Sequence, residues 1–226
     1  MVRTYDFGEA DRVIVLLTEN HGLIRGVAKG VRKAKSRFGS RLQPFVEVDA
    51  LIYPGKSLST IASADTVTYF GARIIDDFDR YTAACAVMET AEKLSYDEAD
   101  PVLFALVKDA LQHLQTDQHP TMVLDAFILQ ATEHAGWGLS LFNCANCGAP
   151  GPHKAFNAAV GGAVCNNCRP PGSMDVDPET LHDMWLMERG NGTSSIRVAQ
   201  IHRATAAHLQ YNLESGLKSL KIMEQA

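Results

Sequence analysis

Two pairs of cysteines constrain this chain more than any other feature. Cys144 and Cys147, then Cys165 and Cys168, repeat a Cys-x2-Cys spacing with seventeen residues between the pairs. Each pair lets two thiolates reach one ion from a tight turn, and two such turns close a tetrahedral sulfur shell suited to Zn2+. The intervening segment carries Gly148, Gly151, Pro152, Gly161 and Gly162 and little apolar content, so metal is expected to supply its order. Four thiolates leave no open coordination position, which predicts one structural rather than catalytic zinc per chain. The zinc deaminases of nucleobases need H-x-E and P-C-x-x-C, and here Asn143 and Val164 precede the two pairs. His153 lies inside the loop as a spare ligand that four sulfurs make unnecessary. The fifth cysteine, Cys85, falls on the apolar face of a predicted helix and reads as a small buried hydrophobe.

Charge is the second constraint. Between His21 and Val46 stand seven basic residues, Arg25, Lys29, Arg32, Lys33, Lys35, Arg37 and Arg41, with no acidic ones. This window is therefore +7 in a chain of net charge −5, leaving −12 elsewhere. A basic patch on an otherwise acidic protein draws polyanions to one face. Lys and Arg spaced along a loop can follow a phosphate backbone without reading sequence, and Phe38 and Phe45 are candidate stacking faces for unpaired bases, Phe45 equally a core residue. The 226 residues are 46% hydrophobic and 21% charged, as in folded globular chains. No apolar run is long enough to span a membrane and the start lacks a signal peptide's apolar core, so a cytoplasmic protein is expected.

The first part of the chain reads as strands. Arg12 to Thr18 is apolar and β-branched, Asn20-His21-Gly22 signals a turn, and Leu23 to Lys29 resumes an extended pattern. Val46, Val48, Ala50 and Ile52 alternate with more polar neighbours, and Pro54-Gly55 precedes a further strand over Leu58 to Ala62. Several short strands without a long helix predict a small barrel of the oligonucleotide-binding class. After about Asp76 the apolar period lengthens. Helices are predicted over Arg80–Ser95, Val102–Leu114, Thr121–Ala135, from Asp177, and over Ile196–Tyr211 and Asn212–Met223.

No catalytic constellation is visible, so no enzymatic activity and no small-molecule substrate are expected. Gly55-Lys56-Ser57 resembles the end of a phosphate-binding loop but lacks its earlier glycine and following helix, and Gly136-Trp137-Gly138 has no third glycine at dinucleotide spacing. On the residues alone, a zinc-ribbon transcription or RNA-binding factor remains an alternative to a DNA-binding repair protein.

The string Gly8-Glu9-Ala10-Asp11-Arg12, Leu16 to Thr18, His21-Gly22, Ala28-Lys29-Gly30-Val31-Arg32-Lys33, Ser36-Arg37 and Leu42-Gln43-Pro44-Phe45 resembles the amino-terminal domain of the bacterial RecO family. The resemblance runs on through Tyr81 to Leu94, the cysteine pairs and Leu217-Lys218-Ser219-Leu220. It implies an α+β protein: an OB-fold DNA-binding domain over 1–78, then a helical domain over 79–226 with an inserted zinc module over 141–172. It also implies a cytoplasmic, nucleoid-associated recombination mediator. Such a protein binds single- and double-stranded DNA, anneals complementary strands and, with RecR, helps RecA replace single-strand-binding protein. Lys29, Arg32, Lys33, Lys35 and Arg37 carry over as DNA contacts, with Arg25 and Arg41 beside them. Two departures stand out. Family members start earlier, with a strand leading into Val2-Arg3-Thr4-Tyr5, which implies a shortened first strand and an exposed barrel edge. Glu214 stands where the family is commonly basic, so no residues are assigned to the acidic tail of single-strand-binding protein.

Overall fold

A computed structural model describes residues 1–96, 98–192, 196–213 and 216–223. The amino-terminal part is a five-stranded sheet: β1 (Arg3–Phe7), β2 (Asp11–Thr18), β3 (Gly22–Ala28), β4 (Val46–Tyr53) and β5 (Ser59–Tyr69), in the order β1-β2-β3-β5-β4. β2 and β3 form the predicted hairpin. Gly22 takes the left-handed conformation at its turn (φ 64°), and the Thr18 hydroxyl donates to the Gly22 carbonyl at 2.8 Å. β3 and β5 run parallel where Gly26 faces Ser59. A Cβ at residue 26 would come within 2.8 Å of the buried Ile61 side chain, so glycine permits the close approach that curls the sheet.

β5 is longer than its apolar stretch predicts. It pairs with β4 as far as Tyr69, past two register shifts, although Asp65 to Thr68 is mostly polar and exposed. β1 is short. It pairs with β2 along its whole length but not with β4, and at that seam the Met1 amine donates to the Val46 carbonyl at 3.2 Å. Burial lowers this amine to about 6.

Inside the curled sheet lie Ile14, Leu16, Ala28, Ile61 and Ala64, joined by Phe38 and Leu42 from the loop between β3 and β4. The expectation that Phe38 and Phe45 could stack on bases is therefore corrected, since they are only 1% and 2% exposed. Phe38 plugs the barrel. Phe45, held at φ 61°, packs into the helical core and meets the Tyr81 ring edge-on at 5.8 Å.

The remainder is helical: α1 (Phe78–Leu94), α2 (Pro101–Leu114), α3 (Pro120–His134), α4 (Pro178–Glu188), α5 (Val198–Leu213) and α6 (Lys218–Met223). Asp77 and Asp100 cap α1 and α2 by accepting the amides of Arg80 and Leu103. As its composition predicts, α3 is central, contacting α1, α2, α4 and α5. The predicted helix over 212–223 is corrected to a much shorter one. α5 continues to Leu213, and α6 begins only after Gly216, where Leu217 and Leu220 enter the core and the Glu89 carboxylate accepts the amides of Lys218 and Ser219. Glu214 lies outside the described residues. Ile196 stands before α5, not within it, and is 92% exposed. No helix among the described residues is long and apolar enough to cross a membrane.

Candidate metal centre and nucleic-acid interface

Between α3 and α4 the chain forms a small sheet, β6 (Ala155–Asn157), β7 (Gly162–Ala163) and β8 (Met174–Asp175), with β6 in the middle. It is anchored from below by Phe156, fully buried in a cluster that includes Leu141, Leu181, Met184 and Ile201. Gly162 is required here. Its backbone sits against Ser140, and a Cβ would lie 2.2 Å from the Ser140 carbonyl oxygen.

The two cysteine pairs bracket two tight turns at one end of this sheet. In the first, the Gly148 amide donates to the Cys144 carbonyl at 2.8 Å and Gly148 adopts φ 74°. In the second, the Cys168 amide donates to the Cys165 carbonyl at 3.1 Å. All four sulfurs lie within 4.8 Å of one another, with Cys147 Sγ and Cys165 Sγ 3.9 Å apart. Four thiolates at about 2.3 Å from one tetrahedral ion would stand about 3.8 Å from each other, so the cluster is close to the size required. Cys144 is buried and Cys147 exposed, so the cluster sits at the rim of the module.

The electrostatics suit thiolates. The Cys165 amide points at Cys144 Sγ at 3.4 Å, and amides of Cys165 and Cys147 together bring the Cys144 thiol down to about 6. The Ala149 amide acts the same way on Cys147, but the adjoining sulfurs and burial outweigh it and push that thiol to about 11. Such a divided set of thiols shares protons until a cation replaces them. These four cysteines could hold a metal ion. His153 is not one of the set: it is buried, with Nε2 3.0 Å from the Ala149 carbonyl oxygen. Arg169, next to Cys168, ties the second turn to β8 through Asp175 at 2.7 Å and the Ser173 carbonyl at 3.2 Å.

The basic window lies on β3 and the loop that follows it. Arg25 is exposed on β3, and Lys29, Arg32, Lys33, Lys35 and Arg37 are exposed on the β3–β4 loop, with Arg41 half-buried. The loop is a chain of turns, Lys33 amide to Gly30 carbonyl, Ser36 to Lys33, Gly39 to Ser36 and Arg41 to Phe38, hung from the Phe38 and Leu42 plugs. Its base is fastened to the β1–β2 turn. The Asp11 carboxylate accepts the Gly30 amide at 2.7 Å, and the Arg32 amide donates to the Ala10 carbonyl at 3.0 Å. Sequence reasoning missed this role of Asp11. Its signal was the Gly8 to Arg12 string, which carries a resemblance but shows no partner until the hairpin brings it beside residue 30.

Two of the seven cations are engaged, Arg32 with Asp6 at 3.2 Å and Arg41 with Asp65 at 3.9 Å. Arg37 lies over the Phe38 ring at 4.9 Å. Among the described residues, no ion pair within 4 Å holds Arg25, Lys29, Lys33, Lys35 or Arg37. Five unpaired positive charges thus crowd one exposed loop and its neighbouring strand.

Comparison with known proteins agrees with this architecture. The family described as "Recombination protein O N terminal" matches residues 1–70, and "Recombination protein O C terminal" matches residues 75–221. The chain belongs to the RecO family. A relative from Thermobifida fusca, "DNA repair protein RecO", is 43% identical over 234 residues, covering the whole of this chain and 96% of the relative. RecO membership supports a role in DNA repair and recombination, and the barrel, helical part and cysteine cluster are the architecture expected of it.

Proposed function

We propose that this chain is a non-enzymatic recombination mediator. It binds single- and double-stranded DNA through the barrel's basic loop, anneals complementary strands and, with RecR, assists RecA in displacing single-strand-binding protein from single-stranded DNA. The observation that carries this reading is the exposed loop of unpaired cations on an acidic RecO-family chain. Its contacts are Lys29, Lys33, Lys35 and Arg37, with Arg25 beside them and Arg32 and Arg41 shared with Asp6 and Asp65. Backbone neutralisation holds two strands near each other without fixing register, and annealing asks for no more chemistry than that.

The ion held by Cys144, Cys147, Cys165 and Cys168 is zinc, because a closed set of four thiolates suits that metal and leaves no place for substrate. When bound, it supplies folding energy to a segment with little core of its own. The division of labour places DNA binding in residues 1–78 and the helical scaffold, with its module over 141–172, in residues 79–226. The protein acts in the cytoplasm at the nucleoid.

The test is a strand-annealing assay on complementary oligonucleotides, bare and coated with single-strand-binding protein, with and without RecR. Sequence-independent annealing, and RecA assembly on coated strands that requires both this chain and RecR, are expected. A chain that binds only one nucleotide sequence, or anneals nothing, contradicts the proposal.

A further inference from the structure

The basic loop explains how a backbone is held but not how bases are, because the rings expected to stack are buried. Two other rings lie beside it. Tyr5 and Phe7 of β1 are 44% and 47% exposed and belong to none of the hydrophobic clusters. The pairing register fixes their face. Tyr5 stands across from Val13, itself across from Val27, while Arg3, Val15 and Arg25 form the next row, and Phe7 faces Asp11. Ile14 and Leu16, on the opposite face, fill the barrel, so Tyr5, Phe7 and Arg25 share its outer surface.

The helical part covers one end of that surface, where Leu17 joins the helical core and Arg3 meets Glu92 of α1 at 2.8 Å. At the other end Val13 and Val27 beside Tyr5 are buried, and the Asp11–Gly30 hydrogen bond joins the Phe7 end of β1 to the cationic loop. Asp6 alternates to the face of β1 opposite the rings, where it pairs with Arg12 at 3.1 Å and Arg32 at 3.2 Å. Asp11, across from Phe7, accepts the Gly30 amide beside Lys29. Asp11, on the rings' own face, is thus occupied by the loop, and unpaired Lys29 and Arg25 remain to meet phosphate.

We propose that Tyr5 and Phe7 form a stacking platform for the bases of single-stranded DNA whose backbone runs along the Lys29–Arg37 loop. Residues two apart on a strand are spaced by about 6.8 Å. That is twice the roughly 3.4 Å rise between stacked bases, so one unpaired base fits between the two rings. Bases in a duplex are stacked on each other and cannot enter. The platform therefore gives the site a preference for single strands that the sequence-blind loop lacks. This inference rests on the DNA-binding reading above.

The experiment compares binding of a fluorescent oligo(dT) and of a duplex of equal length by the full chain and its variants. Tyr5→Ala/Phe7→Ala should lose roughly tenfold or more in oligo(dT) affinity, with a much smaller change for duplex. Tyr5→Phe/Phe7→Trp should retain affinity, and emission from the introduced indole should be quenched on adding oligo(dT). Tyr53→Ala, removing a still more exposed ring from β4, serves as the folding and surface control and should match wild type. Oligo(dT) affinity undiminished in Tyr5→Ala/Phe7→Ala, or diminished equally for duplex, overturns the platform while leaving the basic loop as the DNA site. Failure of the wild-type chain to bind either DNA overturns the DNA-binding reading, and the platform with it.

Discussion

Cys144 shows why the cysteine cluster was legible residue by residue. Its partner Cys147 is three positions away across one turn, and the Cys165–Cys168 pair repeats the geometry, so spacing alone specifies most of the cluster. The residue-level expectations for Phe38 and Phe45 failed for the opposite reason. Whether a ring in a turn-rich loop points out or in depends on cavities formed by strands distant in sequence, here the barrel mouth and the helical core. Cys144→Ser removes the buried ligand. Purified wild-type protein should hold about one zinc per chain, and in the variant that content should fall, and the melting temperature with it, as read by metal analysis and calorimetry. At the same scale, α3 buries a carboxylate. Asp125 is fully buried, with its carboxylate 2.9 Å from His202 Nδ1; burial pushes its carboxyl up and His202 pulls it back. His202→Ala strands that carboxyl and should cost about 3 kcal/mol in urea unfolding. Adding Asp125→Asn should return most of the loss, because an amide carries no charge to desolvate.

Helices whose caps are local, α1 from Asp77 and α2 from Asp100-Pro101, appear within a few residues of where capping chemistry puts them. β5 and α6 depart furthest, and both are defined by the elements they pair or dock with rather than by their own composition. β5 extends because β4, its neighbour in sequence, pairs with it as far as Tyr69 across two register shifts, and α6 is placed by Glu89, some 130 positions earlier. Burial raises the Glu89 carboxyl, but the Ser219 hydroxyl and the amides of Lys218 and Ser219 outweigh it and hold it below the usual range. A carboxyl lowered on folding stabilises above its unfolded value near pH 4.5 and loses that contribution as the pH falls through the folded value. Docking of α6 should thus weaken only in acid, seen as amide exchange in 217–223 rising below about pH 4.5. Glu89→Gln should raise that exchange already at pH 7 and flatten its acid dependence. A variant that exchanges like wild type at both pH values would contradict the docking role.

At the scale of the whole molecule, opposite charges are segregated. An acidic chain carries a barrel whose one loop and neighbouring strand bear five unpaired cations, the loop fixed to the barrel by the Phe38 and Leu42 plugs and the Asp11 anchor. The charge asymmetry was readable from the sequence because it is local. The anchoring was not, because β1 and the β3–β4 loop meet only in the fold. The central claim is that this loop grips the DNA backbone, and the salt dependence of oligo(dT) affinity tests it most directly. With about five phosphates neutralised, log affinity should fall against log salt with a slope of about −3 to −4. Lys29→Ala/Lys33→Ala/Lys35→Ala, which removes three unpaired and exposed charges without opening the loop's hydrogen bonds, should weaken binding and make the slope shallower by about 2. Unchanged affinity with an unchanged slope in that variant would contradict the account and place the DNA site elsewhere on the molecule.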